Sequence, residues 1–252
     1  MTSSDSENTP LFGTTRTVVA ARHALITPDG HVPSAFPGWE NATPFVILSP
    51  GMGAKLSQIL ITFDDNGVAR FPADQHEHAL YFENGEGTLI AGEEEHSLTA
   101  GSFAFVPAEK TLTLTGSQGT RVTIFRKEFA PHADLEMPPV ICGSAHDVAS
   151  EAFLGYEGAQ LQTLLPVDPR FDLAMNIFTY QPGATLPFVE THIMEHGLLM
   201  LSGQGVYRLE EAYYPVQAGD AIWMAPYCPQ WFVAMGESPA SYLYYKDVHR
   251  LP

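Results

Sequence analysis

The 252-residue sequence predicts an all-β protein built from two similar barrels in tandem. Three observations support this prediction: an internal repeat, short β-prone runs between turn residues, and the absence of long helical periodicity. The runs FAFVP, TLTLT, RVTIF, AIWMAP and SYLYYK alternate with Gly, Pro, Asn and Asp. Their spacing of roughly ten residues favours a sandwich or barrel, and the chain is long enough to bury a sizeable core.

The repeat is clearest in EHALYFENGEG at 77–87 and EHGLLMLSGQG at 195–205, which are offset by 118 residues. The next matched glycine follows the last residue of each run by 14 residues, in AGSFAFVP and AGDAIWMAP. An aromatic stretch with a lysine then closes each copy, TIFRK and YLYYK, and Lys127 and Lys246 are offset by 119 residues. Matched landmarks in the same order indicate two copies of one fold.

The repeat sets the predicted domain boundaries. The first barrel covers 45–130, a linker covers 131–164, and the second barrel covers 165–252. The extension at 1–44 is rich in Pro and Gly, and we expect its short strands to wrap the first barrel. Its first ten residues, MTSSDSENTP, have no apolar signal core and are expected to be disordered.

Charge and composition exclude several partners. The net charge is −17 with only 12 Lys and Arg residues, so a nucleic-acid partner is not expected, because it would need clustered basic residues. No apolar run approaches the roughly 18 residues of a membrane span. Cys142 and Cys228 are too few for a disulfide framework and suit a reducing cytoplasm, with a single bridge left open.

A cluster of metal-ligand residue types lies at 190–196. HIMEH at 192–196 matches H-x-x-E-H, the inverted zinc-protease motif. That motif needs a helix, and here Pro187 precedes it while β-branched residues alternate through 189–193. A strand is favoured, with Glu190, His192 and His196 on one face. Because an unbent strand would separate its ends by roughly 20 Å, a shared metal requires a sharp bend after His192.

The cluster resembles the first motif of the cupin family, H-x-H, three or four residues, E, six residues, G. This chain keeps that spacing: Glu190-x-His192, three residues, His196, six residues, Gly203. The first His and the Glu of the motif have exchanged residue types. In PYCPQW, Gln230 stands where most cupins offer His. This pattern resembles the bicupin family of (S)-ureidoglycine aminohydrolase, through ETHIMEHG, SGQGVY and YLYYK. The resemblance implies two tandem cupin-type, jelly-roll-like barrels.

The resemblance also implies a metal site made by Glu190, His192, His196 and Gln230. Two oxygens and two imidazole nitrogens with open positions suit Mn²⁺, or Fe²⁺ as its competitor. A closed structural zinc site would more often use thiolates. The implied metal is manganese, with the substrate completing its coordination.

Lys246 is the implied catalytic residue. It shares a strand face with Tyr242 and Tyr244. If this face points into the barrel, desolvation lowers the pKa of the ammonium and fits it for proton transfer; the alternative is a solvated lysine at a strand end. The resemblance implies that Tyr207, Tyr242 and Lys246 contact the substrate.

The implied reaction is hydrolytic loss of ammonia from (S)-ureidoglycine, giving (S)-ureidoglycolate in allantoin breakdown. The metal would orient the substrate, and Lys246 or Glu190 would move the proton to the departing amine. The expected partners are a small ureide and further copies of the chain in a homo-oligomer. Two alternatives stay open: a cupin dioxygenase using Fe²⁺, and a non-enzymatic cupin that binds small molecules.

The first copy is expected to be metal-free. HEH at 76–78, with Glu83, imitates the motif. The repeat register, however, aligns Pro72 with Glu190, Asp74 with His192, His78 with His196 and the region of Leu112 with Gln230. Only one strong ligand remains, with Asp74 as a second candidate.

Overall fold

The computed structural model describes residues 15–132 and 134–248. The first ten residues, expected to be disordered, lie outside the described residues, as do the start of the predicted extension and the last residues of the predicted second barrel. Within the described part, regular structure is β-strand apart from three 3-10 turns at Pro28–Gly30, Pro50–Met52 and Ala145–Asp147. This confirms the all-β prediction. No described helix is long and apolar enough to cross a membrane.

The strands are numbered in chain order. Those up to the end of the first copy are β1 (Val18–Val19), β2 (His23–Ile26), β3 (Glu40–Leu48), β4 (Leu56–Phe71), β5 (His76–Asn84), β6 (Glu86–Ala91), β7 (Glu94–Thr99), β8 (Ser102–Val106), β9 (Leu112–Gly116) and β10 (Arg121–Glu128). Those that follow are β11 (Ile141–Ser144), β12 (Glu151–Phe153), β13 (Tyr156–Thr163), β14 (Leu173–Tyr180), β15 (His196–Ser202), β16 (Gln204–Leu209), β17 (Ala212–Gln217), β18 (Ala221–Met224), β19 (Gln230–Ala234) and β20 (Ala240–Asp247).

Three sheets build the two barrels. The first barrel is one sheet in the order β11-β8-β5-β10-β4-β9-β6-β7, with β3 paired to β4. The second combines the sheet β1-β2-β18-β15-β20-β14-β13-β12 with the sheet β17-β16-β19. Buried apolar side chains form one core in each barrel and a further core between them. The tandem-barrel prediction is confirmed.

Strand register corrects one detail of the repeat. His78 lies opposite Arg126 on β10, whereas His196 lies opposite Lys246 on β20. The structural equivalent of Lys246 is therefore Arg126, and the predicted equivalence of Lys127 and Lys246 is wrong. Side chains alternate along a strand, so Lys127 faces away from the barrel interior, toward the second barrel.

The opening segment pairs with the second barrel rather than the first. β2 is antiparallel to β18, with Leu25 opposite Ile222, and β1 pairs with β2. The prediction that this segment wraps the first barrel is wrong for these strands, although β3 does pair with β4. β2 covers the edge of β18, which would otherwise expose unpaired backbone groups.

The predicted linker at 131–164 contains strands that belong to both barrels. β11 pairs with β8 in the first sheet. β12 and β13 pair with each other, and β13 pairs with β14 in the second sheet. The chain therefore passes between barrels near 145–150, and much of this segment is part of the two sheets.

The two barrels meet through ion pairs that the repeat relates to each other. Leu56 lies opposite Lys127 on β10, and Leu173 lies opposite Asp247 on β20. Lys55 is therefore equivalent to Asp172, and Lys127 to Asp247. Across the interface Lys127 pairs with Asp172, and Lys55 pairs with Asp247 at 3.1 Å. The first copy supplies both lysines and the second copy both aspartates.

The first glycine of each matched turn is fixed by backbone geometry. Gly85 and Gly203 have φ of 79° and 70°, which favours glycine. A Cβ at Gly203 would lie 2.6 Å from the carbonyl oxygen of Pro239, and one at Gly85 would lie 2.7 Å from the Cα of Thr120. These contacts explain why both copies keep a glycine there.

Candidate active site

The chain bends between Glu190 and His196, as a shared site requires. Glu190 and Gln230 form an antiparallel bridge, with backbone N–O distances of 2.8 and 2.9 Å. The backbone N–H of Tyr227 donates to the carbonyl of His192 at 2.7 Å, and His196 then begins β15. There is no helix at 192–196, so the protease geometry is not formed.

Three of the four predicted ligands lie within contact of one another. His192 Nε2 is 3.1 Å from His196 Nε2 and 3.1 Å from Gln230 Nε2. Glu190 lies farther out, with Oε2 4.0 Å from His192 Nε2. Within the described ranges, no three His, Cys, Asp or Glu side chains come close enough to hold a metal ion. The closest set is therefore two imidazoles and an amide.

The protonation of the two histidines fits a cation. The carbonyl of Tyr245 lies 3.1 Å from His196 Nδ1, and that of Met194 lies 3.1 Å from His192 Nδ1. Each Nδ1–H donates to its carbonyl, so both Nε2 atoms carry lone pairs that face each other. Burial, with help from the nearby His192, lowers the pKa of His196 to about 3, so its ring is neutral, as a ligand must be. Two ligand atoms that each lie about 2.1 Å from the same metal ion are themselves about 3 Å apart, which is the separation of the two Nε2 atoms. The two imidazoles therefore fit a divalent ion, and Gln230 fits it once its amide is turned to present Oε1.

Lys246 points into the second barrel. It lies directly opposite His196 on the neighbouring strand and lines the same cavity as Glu190 and Tyr242. Burial lowers the pKa of Lys246, although the negative charge of Glu190 opposes the shift. Burial raises the pKa of Glu190, against the attraction of Lys246. The two groups line the same cavity, and the charge of each opposes the effect of burial on the other.

The cavity is small and has an aromatic wall. Its volume is about 130 Å³, well below the roughly 300–1,000 Å³ of pockets for drug-sized ligands. It therefore suits a molecule of a few heavy atoms. The predicted residues Tyr207 and Tyr242 line it, as does Tyr244, which the sequence placed on the strand face of Lys246. Sequence reasoning missed four further lining residues: Phe153, Phe178, Leu198 and Met224.

The tyrosine hydroxyls lie behind the candidate ligands. The hydroxyl oxygens of Tyr180 and Tyr242 are 3.0 Å apart. The rings of Tyr242 and Tyr207 are neighbours, with centroids 6.2 Å apart, and Tyr207 donates to Gln230 Oε1 at 3.4 Å. Burial raises the pKa of Tyr207 and of Tyr242, so both are neutral and can donate. Tyr180 was missed because its position depends on strand register.

Glu195 faces away from the cavity. Its carboxylate accepts from the backbone N–H of Lys55 at 2.9 Å and from Trp223 Nε1 at 2.8 Å. Burial raises its pKa. Glu195 therefore joins the second barrel to the first, and it cannot act as the base that a protease motif would require.

The equivalent place in the first barrel is filled differently. His78 is fully buried, and burial lowers its pKa to about 3. Arg126, at the position of Lys246, pairs with Asp74 at 2.5 Å and lies 2.8 Å from His76 Nδ1. Because a fixed guanidinium charge repels a metal cation, this arrangement opposes binding there. The metal-free first barrel stays a prediction.

A larger cleft between the barrels lacks comparable chemistry. Its volume is about 900 Å³. Its basic side chains Lys55, Lys127 and Arg126 are paired with carboxylates. No set of converging ligands has been found there among the described residues. The small cavity of the second barrel is therefore the candidate active site.

Comparisons with known proteins identify the family. The cupin domain model matches residues 176–245. The chain is 36% identical over 250 residues to a protein of Oryza sativa subsp. japonica named probable (S)-ureidoglycine aminohydrolase, covering 96% of this chain and 78% of that protein. It is 32% identical over 232 residues to the (S)-ureidoglycine aminohydrolase of Escherichia coli (strain K12), covering 90% and 88%.

A solved structure extends the match to three dimensions. The crystal structure of protein Ylba from E. coli aligns with a TM-score of 0.85 at 29% identity, covering 95% of this chain and 97% of that chain. The sequence matches exceed 30% identity over most of both proteins. The chain therefore belongs to the (S)-ureidoglycine aminohydrolase family.

Proposed function

We propose that this protein is a manganese-dependent hydrolase that releases ammonia from (S)-ureidoglycine and forms (S)-ureidoglycolate in allantoin breakdown. The observation that carries the proposal is the convergence of His192, His196 and Gln230, with Glu190 and Lys246 beside them, in one small cavity. The names of the full-length relatives supply the substrate. Neutral imidazoles with oxygen donors suit Mn²⁺.

Four side chains would hold the metal: Glu190, His192, His196 and Gln230. When bound, the ion would supply positive charge that anchors the substrate and stabilises developing negative charge. The carbonyls of Met194 and Tyr245 hold the imidazole rings in the tautomer that leaves Nε2 open. The aromatic wall limits the room for water around the substrate.

Lys246 would move the proton to the departing amine. Its position opposite His196 and in the lining of the cavity supports this role. Tyr207 and Tyr242 would contact the substrate, with Tyr242 donating to one of its oxygens, and would fix its orientation, which determines the enantiomer that reacts. In the overall reaction water adds its hydroxyl to the substrate carbon, and the amine leaves as ammonia.

The direct test is ammonia release from (S)-ureidoglycine generated in place from allantoate, with metal analysis of the same preparation. We expect ammonia release that a chelator abolishes and manganese restores, and a single bound ion per chain. Active protein with a second ion would contradict the metal-free first barrel. No ammonia release from manganese-loaded protein would refute the proposed reaction, and oxygen uptake would indicate the dioxygenase alternative.

Lys246→Met tests the role of the lysine separately. We expect unchanged metal content and a loss of activity of about 10²–10⁴-fold, the usual contribution of a proton-transfer group. Lys110→Met is the matched control, because Lys110 lies in the first barrel and pairs with Glu94 at 2.8 Å. Activity retained in Lys246→Met would remove Lys246 from the mechanism.

The setting of the enzyme is also a proposal. Cys142 and Cys228 are both free thiols, which suits the proposed reducing cytoplasm. The homo-oligomer remains a prediction. Light scattering after size-exclusion chromatography measures the mass, and a monomer at working concentration would contradict it.

A further inference from the structure

Tyr180 lies directly behind the substrate cavity without lining it. It belongs to β14, has 0% of its surface exposed, and packs against the rings of Tyr242 and Phe232. Tyr242 lines the cavity, and the two hydroxyl oxygens are 3.0 Å apart. The ring of Tyr180 also packs against Phe178, another residue of the cavity wall, but its hydroxyl reaches the cavity through Tyr242.

The direction of this hydrogen bond follows from burial. Among the described residues, Tyr242 is the one hydrogen-bond partner found for the Tyr180 hydroxyl. A buried hydroxyl that only accepted would leave its proton unpaired, which is unfavourable. Tyr180 therefore donates, and Tyr242 accepts. The proton of Tyr242 must then point away from Tyr180, toward the cavity side of the ring.

The second cavity tyrosine, Tyr207, is engaged with Gln230. Tyr207 donates to Gln230 Oε1 at 3.4 Å, while Gln230 Nε2 faces His192. An amide turned by 180° presents its oxygen to a cation and its N–H to Tyr207. In both orientations of the amide Tyr207 is hydrogen-bonded to Gln230. Because Tyr242 accepts from Tyr180, the proton of Tyr242 is the one left for a ligand.

We propose that Tyr180 is a positioning residue that directs the Tyr242 proton to an oxygen of the bound substrate. The inference rests on the proposed function, because it assumes a small ureide with carboxylate and carbonyl oxygens in this cavity. Tyr180 makes no contact with the substrate. Its effect is on ligand affinity, because without the Tyr180 hydroxyl the Tyr242 proton is no longer confined to the cavity side, and its hydrogen bond to the ligand is weakened.

A double-mutant cycle tests the proposal. The variants are Tyr180→Phe, Tyr242→Phe and the pair together, and the probe is N-carbamoylglycine, which has the ureido and carboxylate groups but no amine to release. Binding to the manganese-loaded proteins is measured by calorimetry. We expect Tyr180→Phe to weaken binding by about three- to tenfold, the range for one hydrogen bond, and to raise KM with little change in kcat.

The decisive comparison is the double variant. If Tyr180 acts through Tyr242, the double variant binds no more weakly than Tyr242→Phe alone, whereas independent structural effects multiply. Multiplied losses, or wild-type binding by Tyr180→Phe, would overturn the proposal. Metal content and Tm are expected to match wild type, because Phe keeps the ring, and Tyr180→Leu is a second hydroxyl-free variant should Phe perturb folding.

Two controls separate this proposal from the proposed function. Tyr81→Phe, in the first barrel, is expected to bind the probe as wild type does. Failure of the wild-type protein itself to bind the probe or to release ammonia would refute the proposed function. If the wild-type protein binds the probe and releases ammonia, and Tyr180→Phe binds the probe equally well, only the role of Tyr180 is refuted.

Discussion

Removing the ammonium of Lys127 is expected to destabilise the contact between the barrels strongly. The side chains of Lys127 and Asp172 are 7% and 2% exposed. Asp172 also accepts a hydrogen bond from the backbone N–H of Ala130 at 2.7 Å. Burial alone would raise the pKa of Asp172, but a hydrogen bond from Glu77 and the charge of Lys127 outweigh it and lower the pKa. Lys127→Met would leave this carboxylate buried without its cation. The expected cost is about 3–5 kcal/mol in the free energy of unfolding.

The repeat provides a matched control in the same interface. Lys55 and Asp247 form the equivalent ion pair, but their side chains are 59% and 12% exposed. An exposed pair is screened by water, so Lys55→Met is expected to cost at most about 1 kcal/mol. The two variants remove the same chemical group from the two related ion pairs. Their difference therefore measures the effect of burial.

Urea unfolding followed by fluorescence gives both free energies under the same conditions. The double variant Lys127→Met/Asp172→Leu replaces both partners. It is expected to recover most of the free energy of unfolding that Lys127→Met loses, since apolar side chains often replace a buried ion pair without penalty. Equal losses for Lys127→Met and Lys55→Met would refute the reasoning. So would a double variant that is less stable than Lys127→Met alone.

Three further predictions concern single sites. Burial lowers the pKa of His78 to about 3, against 6.5 for the free side chain. Below pH 6.5 only the unfolded state binds this proton, so the free energy of unfolding falls by up to about 1.4 kcal/mol for each unit that the pH drops. Measured by urea unfolding between pH 7 and 5, this free energy should depend less on pH in His78→Phe, and an unchanged slope would contradict the reasoning. Gln230→Ala is expected to weaken metal binding by at least the roughly 10–100-fold that a lost supporting residue costs, measured as metal retained after dialysis, and full retention would argue against ligation. Gly203→Ala should lower Tm more than Gly183→Ala. Both glycines have positive φ, but only at Gly203 would the added Cβ meet backbone atoms, at 2.6 Å. Equal decreases in Tm would show that the backbone contact adds nothing to the cost of positive φ.

The repeat was readable from the sequence because its glycines and buried strands are needed by the backbone itself. Gly85 and Gly203 hold left-handed turns, so other residues there would be strained. The E-H pairs and their spacing then predicted where the candidate ligands would converge. Local pattern could not show which sheet β2 joins, because four buried residues describe a covered strand but not its neighbour. The position of Tyr180 behind Tyr242 likewise depends on register across β14 and β20.

The aligned lysines were misassigned for a related reason. One residue of slip exchanges the two faces of a strand, and the landmark offset of 119 concealed a slip between the copies. In the structure Arg126 faces the interior of the first barrel, and Lys127 faces the second barrel. Sequence similarity located the strand correctly, but the side of the sheet was decided by pairing with β5.

The first barrel supports the candidate site of the second barrel. In the second copy Glu195 and His196 are consecutive, so their side chains leave opposite faces of one strand. Glu195 is bound by the backbone N–H of Lys55 from the first barrel, and His196 turns to the cavity. Because the strand is held on one face by the other barrel, the imidazole on the opposite face has a fixed starting position. Through this contact the first barrel helps to position the candidate ligand His196.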